Sequence, residues 1–218
     1  MGSGSLRESF RQHMREQVLK TAHALTVDKG WDRVRLSEIA EVVGVSRPTI
    51  YKEFGDKTGL GDAMIVAEAE RFLAGIAVAL DEHAQDAPAA ILAAVRYTLD
   101  EAERSPLLKA VLTSNRDGSE TPASGDDGTR PGGGAGMLPL LTTSHSMLHT
   151  ASASLTAWFA HHFPELDAVD IADGVDALVR LTVSHLVLPE DSRDATARRI
   201  TLVALRYLRL DDLPSARR

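Results

Sequence analysis

Apolar side chains in this 218-residue chain recur at helical rather than strand spacing almost throughout. Leu6–Lys29 carries Phe10, Met14, Val18, Ala22 and Leu25 on one stripe, with Arg7, Arg11 and Arg15 on its exposed early side. Gly30 ends the pattern. Lys57–His83 repeats it over a longer span through Leu60, Met64, Ala67, Phe72 and Ile76. The spacing predicts further helices over Ala87–Glu103, Pro106–Thr113, Met137–His162, Asp167–Val187 and Ser192–Leu208. No strand-like alternation of useful length interrupts them, so the pattern predicts an all-α fold. One stretch differs in kind. Seven of the 22 residues of Asn115–Gly136 are glycine, and it has almost no large apolar side chains. Such a segment cannot bury enough surface to offset its chain entropy, which predicts a mobile loop.

Two helical signals are unusually short. Within LSEIAEVVGVSRPTIYKEFGDKTGL (Leu36–Leu60), Ser37–Val43 and Arg47–Phe54 are each about two turns, below the roughly 12–15 residues an isolated helix needs in water. They survive only by packing on each other and on a longer element. Ser37 is the expected N-cap of the first, with Ile39, Ala40 and Val43 on its inner face. Gly44 supplies the turn and Val45 plugs the corner. Ser46 caps the second helix, and Pro48 sits in the first turn, where its missing N–H is harmless. Ile50 and Phe54 point inward, leaving Arg47, Thr49, Tyr51 and Lys52 outward. This is a helix-turn-helix pattern with a polar and basic outer face.

Charge at first argues against a nucleic-acid partner, since the net charge is −7. Its distribution reverses that inference. Residues 1–57 hold 10 Lys/Arg against 8 Asp/Glu, and the remaining 161 residues hold 14 against 23. DNA binding needs only a local basic face.

The same residues resemble the DNA-binding domain of TetR-family transcriptional regulators. The shared features are Ile-Ala in the first short helix, Gly-Val-Ser at the turn, Tyr51 in the second, Phe54, and then Lys-x-x-Leu from Lys57. The likeness covers roughly residues 6–65. It implies that Ser46–Phe54 enters the major groove of a double-stranded DNA operator, with Arg47, Thr49, Tyr51 and Lys52 as contacts. It also implies phosphate contacts by Tyr51, by Lys57 and by Ser37 near its helix N-terminus. Pro48 departs from the small or polar residue often seen at its position, and Glu53 adds a negative charge near the groove.

A DNA-binding unit over residues 1–56 does not need the rest of the chain to stay folded. Residues 57–218, with 115–136 as a flexible loop, are expected to sense a ligand and to dimerise. A homodimer through the last two helices would read two half-sites, with Val175, Leu178, Val203 and Tyr207 as interface residues. Their alternative is ordinary intrachain core, which periodicity alone cannot separate. The segments AAILAAVRYTL, LLKAVL and MLPLLTTSHSMLHTASASLTAWFAHHF are rich in Leu, Ala and Met and suit a pocket for a small lipophilic effector. Arg96, Tyr97, Asn115, His145, His149 and Trp158 are its candidate anchors or walls.

Other classes fare worse. His145 and His149 are spaced i, i+4, but no Cys or placed acidic ligand completes a zinc site, so polar filling or pocket lining is the better reading. Gly132–Gly136 lacks the Lys-Ser/Thr and strand context of a phosphate loop, and no Ser, His or Asp sits in a nucleophile motif. The sequence predicts no enzyme, no cofactor and no metal. With no cysteine, no apolar run near 18 residues and no hydrophobic signal core, it predicts a cytoplasmic protein without membrane contact. The alternative is a helical protein–protein adaptor, whose short helices would be a corner without a DNA role.

Overall fold

The structure is a computed structural model that describes residues 3–113, 137–189 and 192–210, with side chains at 6–113, 146–189 and 192–210. The glycine-rich segment predicted as a loop lies outside the described residues, as do Asn115 and the side chain of His145. Nine α-helices and no strand occur among the described residues, as the spacing predicts. They are α1 (Ser3–Lys29), α2 (Leu36–Val43), α3 (Arg47–Phe54), α4 (Lys57–Asp81) and α5 (Ala87–Arg104), then α6 (Pro106–Thr113), α7 (Met137–His162), α8 (Ala168–Val187) and α9 (Arg193–Tyr207). The chain forms two compact units, Met1–Glu68 and Ala69–Arg218, and the division falls inside α4 rather than at its start. Among the described residues, no helix is long and apolar enough to cross a membrane.

The first unit is built on a small core of Val18, Ala22, Ile39, Ile50 and Leu60, all fully buried. Gly30, at φ 82°, ends α1 and turns the chain into a single 3-10 turn, Trp31–Arg33. A Cβ at Gly61 would lie 3.0 Å from the Trp31 ring, so that glycine lets the indole seat on α4. The apolar stripe predicted along α1 begins only at Met14. Phe10 is 72% exposed, uncovered by any described residue. The N-cap of α2 is Arg35 rather than the expected Ser37. Leu36 is drawn into the core, which starts the helix earlier and makes Ser37 its second residue.

The second unit holds the remainder of α4 and α5 to α9. Its helix starts follow side-chain caps: Asp86, Asp167 and Ser192 accept from the N–H groups of Ala89, Val169 and Ala195. α9 packs on both α8 and α5, and α7 packs on α6 and α8. Gly174 permits the close approach at the end of this pair, where an added Cβ would come within 2.8 Å of the Leu208 side chain. This packing consumes the inner faces of α8 and α9. Val175 and Leu178, expected at a subunit interface, are 1% and 5% exposed within a single chain. Val203 is half-buried, and Tyr207 is exposed. Counting apolar positions cannot distinguish a face covered by the chain's own helices from one left for a partner.

Candidate nucleic-acid interface and ligand cavity

The turn between α2 and α3 follows from one glycine. Gly44 adopts the left-handed region (φ 75°, ψ 30°), and the Val45 N–H reaches back to the Ala40 carbonyl at 2.9 Å. Ser46 then caps α3: its hydroxyl oxygen accepts from the Thr49 N–H at 3.3 Å and lies 2.7 Å from the Thr49 hydroxyl. With Ile50 and Phe54 buried, helical periodicity turns Arg47, Tyr51 and Lys52 into solvent. Thr49 is half-buried and tied to Ser46. Ser37 is half-buried in the first turn of α2.

Lys57 opens α4, where Asp56 accepts from the Gly59 N–H at 2.8 Å. The Lys57 ammonium donates to the Asp32 carbonyl at 3.0 Å and sits 5.1 Å from the Trp31 ring centroid. One of its three protons is thereby committed, and the cation is fixed against the Trp31–Arg33 turn.

Glu53 resolves differently from its place in the sequence. Its carboxylate binds Arg11 Nε at 2.8 Å and Arg15 Nη1 at 3.1 Å, both from α1, and its side chain is 9% exposed. Arg15 also stacks its guanidinium 4.9 Å from the Phe54 ring centroid. Hydrogen bonding from Arg11 holds the Glu53 carboxyl below the usual carboxylate range. Burial opposes this, and Arg15 reinforces it. The acid therefore fastens α3 to α1, a role that no local sequence signal marks.

The second unit contains a partly open apolar cavity of about 50 Å³ lined by the later part of α4 and by α5, α6, α7 and α8. Phe72, Ala94, Leu112, Met147, Ala151 and Leu178 are among its walls. Thr98 and Thr182 are the polar residues in that lining, and among the described residues no charged side chain joins them. A larger depression of about 180 Å³ lies by α5, α6, α8 and α9, with Glu103, Lys109, His185 and Arg193 in its rim. Arg193 there is paired with Glu103 and Asp100. The smaller cavity is the one with the apolar walls a lipophile requires.

The predicted anchors do not converge on it. Arg96 Nε lies 2.9 Å from Asp194 Oδ1 on α9, an ion pair by distance that lacks hydrogen-bond alignment. Its pairing with α9 draws it to a different face of α5. Tyr97 stacks on Phe72 with ring centroids 5.8 Å apart, one residue removed from the wall. Trp158 donates from Nε1 to Asp81 Oδ1 at 2.8 Å and stacks on His162. His149 is exposed. Among the described residues, no three His, Asp or Glu side chains cluster as metal ligands would.

Comparison with known proteins places this architecture. The profile of bacterial regulatory proteins of the tetR family matches residues 18–64, and that of the bacterial tetracyclin repressor C-terminal domain matches residues 86–206. The HTH-type transcriptional regulator AlkX of Mycobacterium tuberculosis is 29% identical over 186 residues, covering 85% of this chain and 80% of that protein. The crystal structure of the TetR-family repressor AlkX from Dietzia sp. strain DQ12-45-1b, implicated in biodegradation of n-alkanes, has the same fold. It gives a TM-score of 0.61 at 24% identity, over 88% of this chain and 96% of that one. A crystal structure from Rhodococcus sp., assigned to the same family, gives 0.60 at 15% identity over 90% of this chain and 99% of that one. The chain belongs to the TetR family: it is a DNA-binding transcriptional regulator and not an enzyme.

Proposed function

We propose that the protein is a homodimeric repressor that binds a palindromic operator and leaves it when a small lipophilic effector occupies the second unit. The observation that carries this reading is the presence, in one chain, of two features. One is an α3 whose Arg47, Tyr51 and Lys52 face solvent; the other is an apolar cavity among the helices that follow. Ser46, Arg47, Thr49, Tyr51 and Lys52 would form the groove-facing set. Ser37 and Lys57 would hold phosphates, Lys57 with the protons not given to Asp32.

The cavity's size supports a switch rather than passive storage. At about 50 Å³ it is a third of the roughly 150 Å³ apolar cavity that takes benzene, so a larger ligand lodged wholly within it must spread the helices around it. A ligand shifts an equilibrium only through its differential affinity for two states, and a widened second unit is the state such a ligand favours. α4 belongs to both units and is the covalent route by which that change would reach the start of the helix beside α3.

For the dimer, the exposed apolar residues of the last two helices are the better candidates: Leu202 and Tyr207 on α9, with Val169 on α8. Asp173 stands on the outer face of α8 and Arg198 and Arg206 on that of α9, charges that complement each other across a two-fold pair, whereas Asp176 is already paired with Arg180 on its own helix. The test is anisotropy of a labelled palindromic fragment from beside the protein's own gene, titrated with protein and then with lipophiles. The expected result is two chains per fragment, with affinity lowered about 5–150-fold by an effector. No binding to any such fragment would leave the adaptor alternative.

A further inference from the structure

The walls of the α4–α8 cavity carry two polar groups among the described residues, and both are already committed as donors. The Thr98 hydroxyl lies 2.9 Å from the Ala94 carbonyl, and the Thr182 hydroxyl lies 2.7 Å from the Leu178 carbonyl. A carbonyl can only accept, so each hydroxyl proton points at its own helix. What each threonine retains towards the cavity is oxygen lone pairs. Thr98 and Thr182 are 8% and 7% exposed, so water cannot readily supply a missing partner.

We propose that this cavity selects a neutral apolar molecule whose polar group is a hydrogen-bond donor, an alcohol, over a carboxylate or ketone of equal length, with Thr98 and Thr182 as the accepting oxygens. The inference rests on the sensing role proposed above and names the chemistry of its ligand. Among the described residues of these walls, no cation or free donor would replace the hydration that a carboxylate loses on entry, which disfavours its charged form there. A ketone oxygen would also be buried without a donor, because releasing a threonine proton breaks an existing bond within its helix. An alcohol hydroxyl donates to either threonine and leaves every buried donor satisfied. An alkane of the same length makes no polar demand and gains no polar contact.

The test is calorimetric binding to the full-length protein of 1-hexanol, 2-hexanone, hexanoate and hexane, with operator release measured in parallel. The expected order places 1-hexanol about tenfold or more ahead of 2-hexanone and hexanoate, the scale of one buried hydrogen-bonding group left unpaired. Thr98→Val and Thr182→Val keep the side-chain shape and remove the oxygens. Together they should erase the preference for 1-hexanol over 2-hexanone while leaving hexane binding unchanged. Either single variant reports the same trend if the double variant folds poorly. Hexanoate or 2-hexanone binding as tightly as 1-hexanol, or a preference that survives both substitutions, overturns the donor rule and leaves sensing intact. No binding by any of the four probes removes the cavity as a ligand site, and the sensing role with it.

Discussion

Glu53→Gln tests whether the recognition helix is held in place by charge as well as by its apolar face. α3 has eight residues and cannot persist alone, so its two buried anchors, Ile50 and Phe54, need help from the other side. That help is the Glu53 carboxylate, 2.8 Å from Arg11 and 3.1 Å from Arg15. The Arg11 guanidinium is the more exposed of the two, so the magnitude rests on the Arg15 pair, which at 41% exposure belongs to the surface range of about 0.2–1 kcal/mol. The upper end of that range is about 1 kcal/mol, and glutamine, which keeps an acceptor oxygen but no charge, should lose most of it. Because the folded carboxyl is held below its ordinary range, the contribution is fully present above the unfolded value, near pH 4.3, and fades as pH falls through the folded one. Amide exchange of α3 in wild type and variant at pH 7 should therefore differ about fivefold in opening equilibrium. The two should converge at low pH, as it falls through the lowered folded value and the carboxylate takes up its proton. Equal exchange at pH 7, or a gap of the same size at both pH values, would show that the arginines do not hold the helix.

Tyr51→Ala and Lys57→Ala should each weaken operator binding without unfolding the first unit, and a lost phosphate contact should lower the salt slope by about 1 per subunit; unchanged affinity and slope in both would remove them from the interface. Leu202→Glu and Tyr207→Glu should yield folded monomers by sedimentation, whereas Val175→Glu and Leu178→Glu should unfold the second unit, because only the first pair is exposed. A wild-type monomer at micromolar concentration would refute the dimer. Gly75→Ala would place a Cβ 1.9 Å from the Tyr97 hydroxyl, and overpacking of about 1–3 kcal/mol should outweigh the roughly 1 kcal/mol that alanine adds to a helix. A denaturant melt showing the variant more stable than wild type would mean that Tyr97 does not rest on that glycine.

The parts legible in the sequence are those fixed by local chemistry. Gly44, Ser46 and Pro48 define the turn and the start of α3 within a few residues, and helix spacing alone recovers the bounds of α6 and α7. The parts that were not legible depend on which distant residue arrives to cover a face. Val175 and Leu178 carry the apolar pattern expected of an interface, yet α5, α7 and α9 of the same chain occupy that side of α8. Arg96 looks like an anchor in an apolar helix until Asp194 is brought beside it. Ser37 has the right residue type for a cap, but burial of Leu36 shifts the helix start past it. The two threonines of the cavity carried a weak signal: a threonine within an apolar helical face commonly bonds to the carbonyl four residues earlier.

The chain's two indoles are divided evenly between its two units. Trp31 sits in the first, half-buried beneath the Lys57 ammonium, and Trp158 in the second, 9% exposed against His162 and bonded to Asp81. Each unit therefore contains its own intrinsic fluorophore. A Trp158→Phe chain would report optically on events at the start of α4, and a Trp31→Phe chain on events where α7 meets Asp81 in the second unit. With these two variants, one ligand titration could time the arrival of a disturbance in each unit separately, without any attached dye.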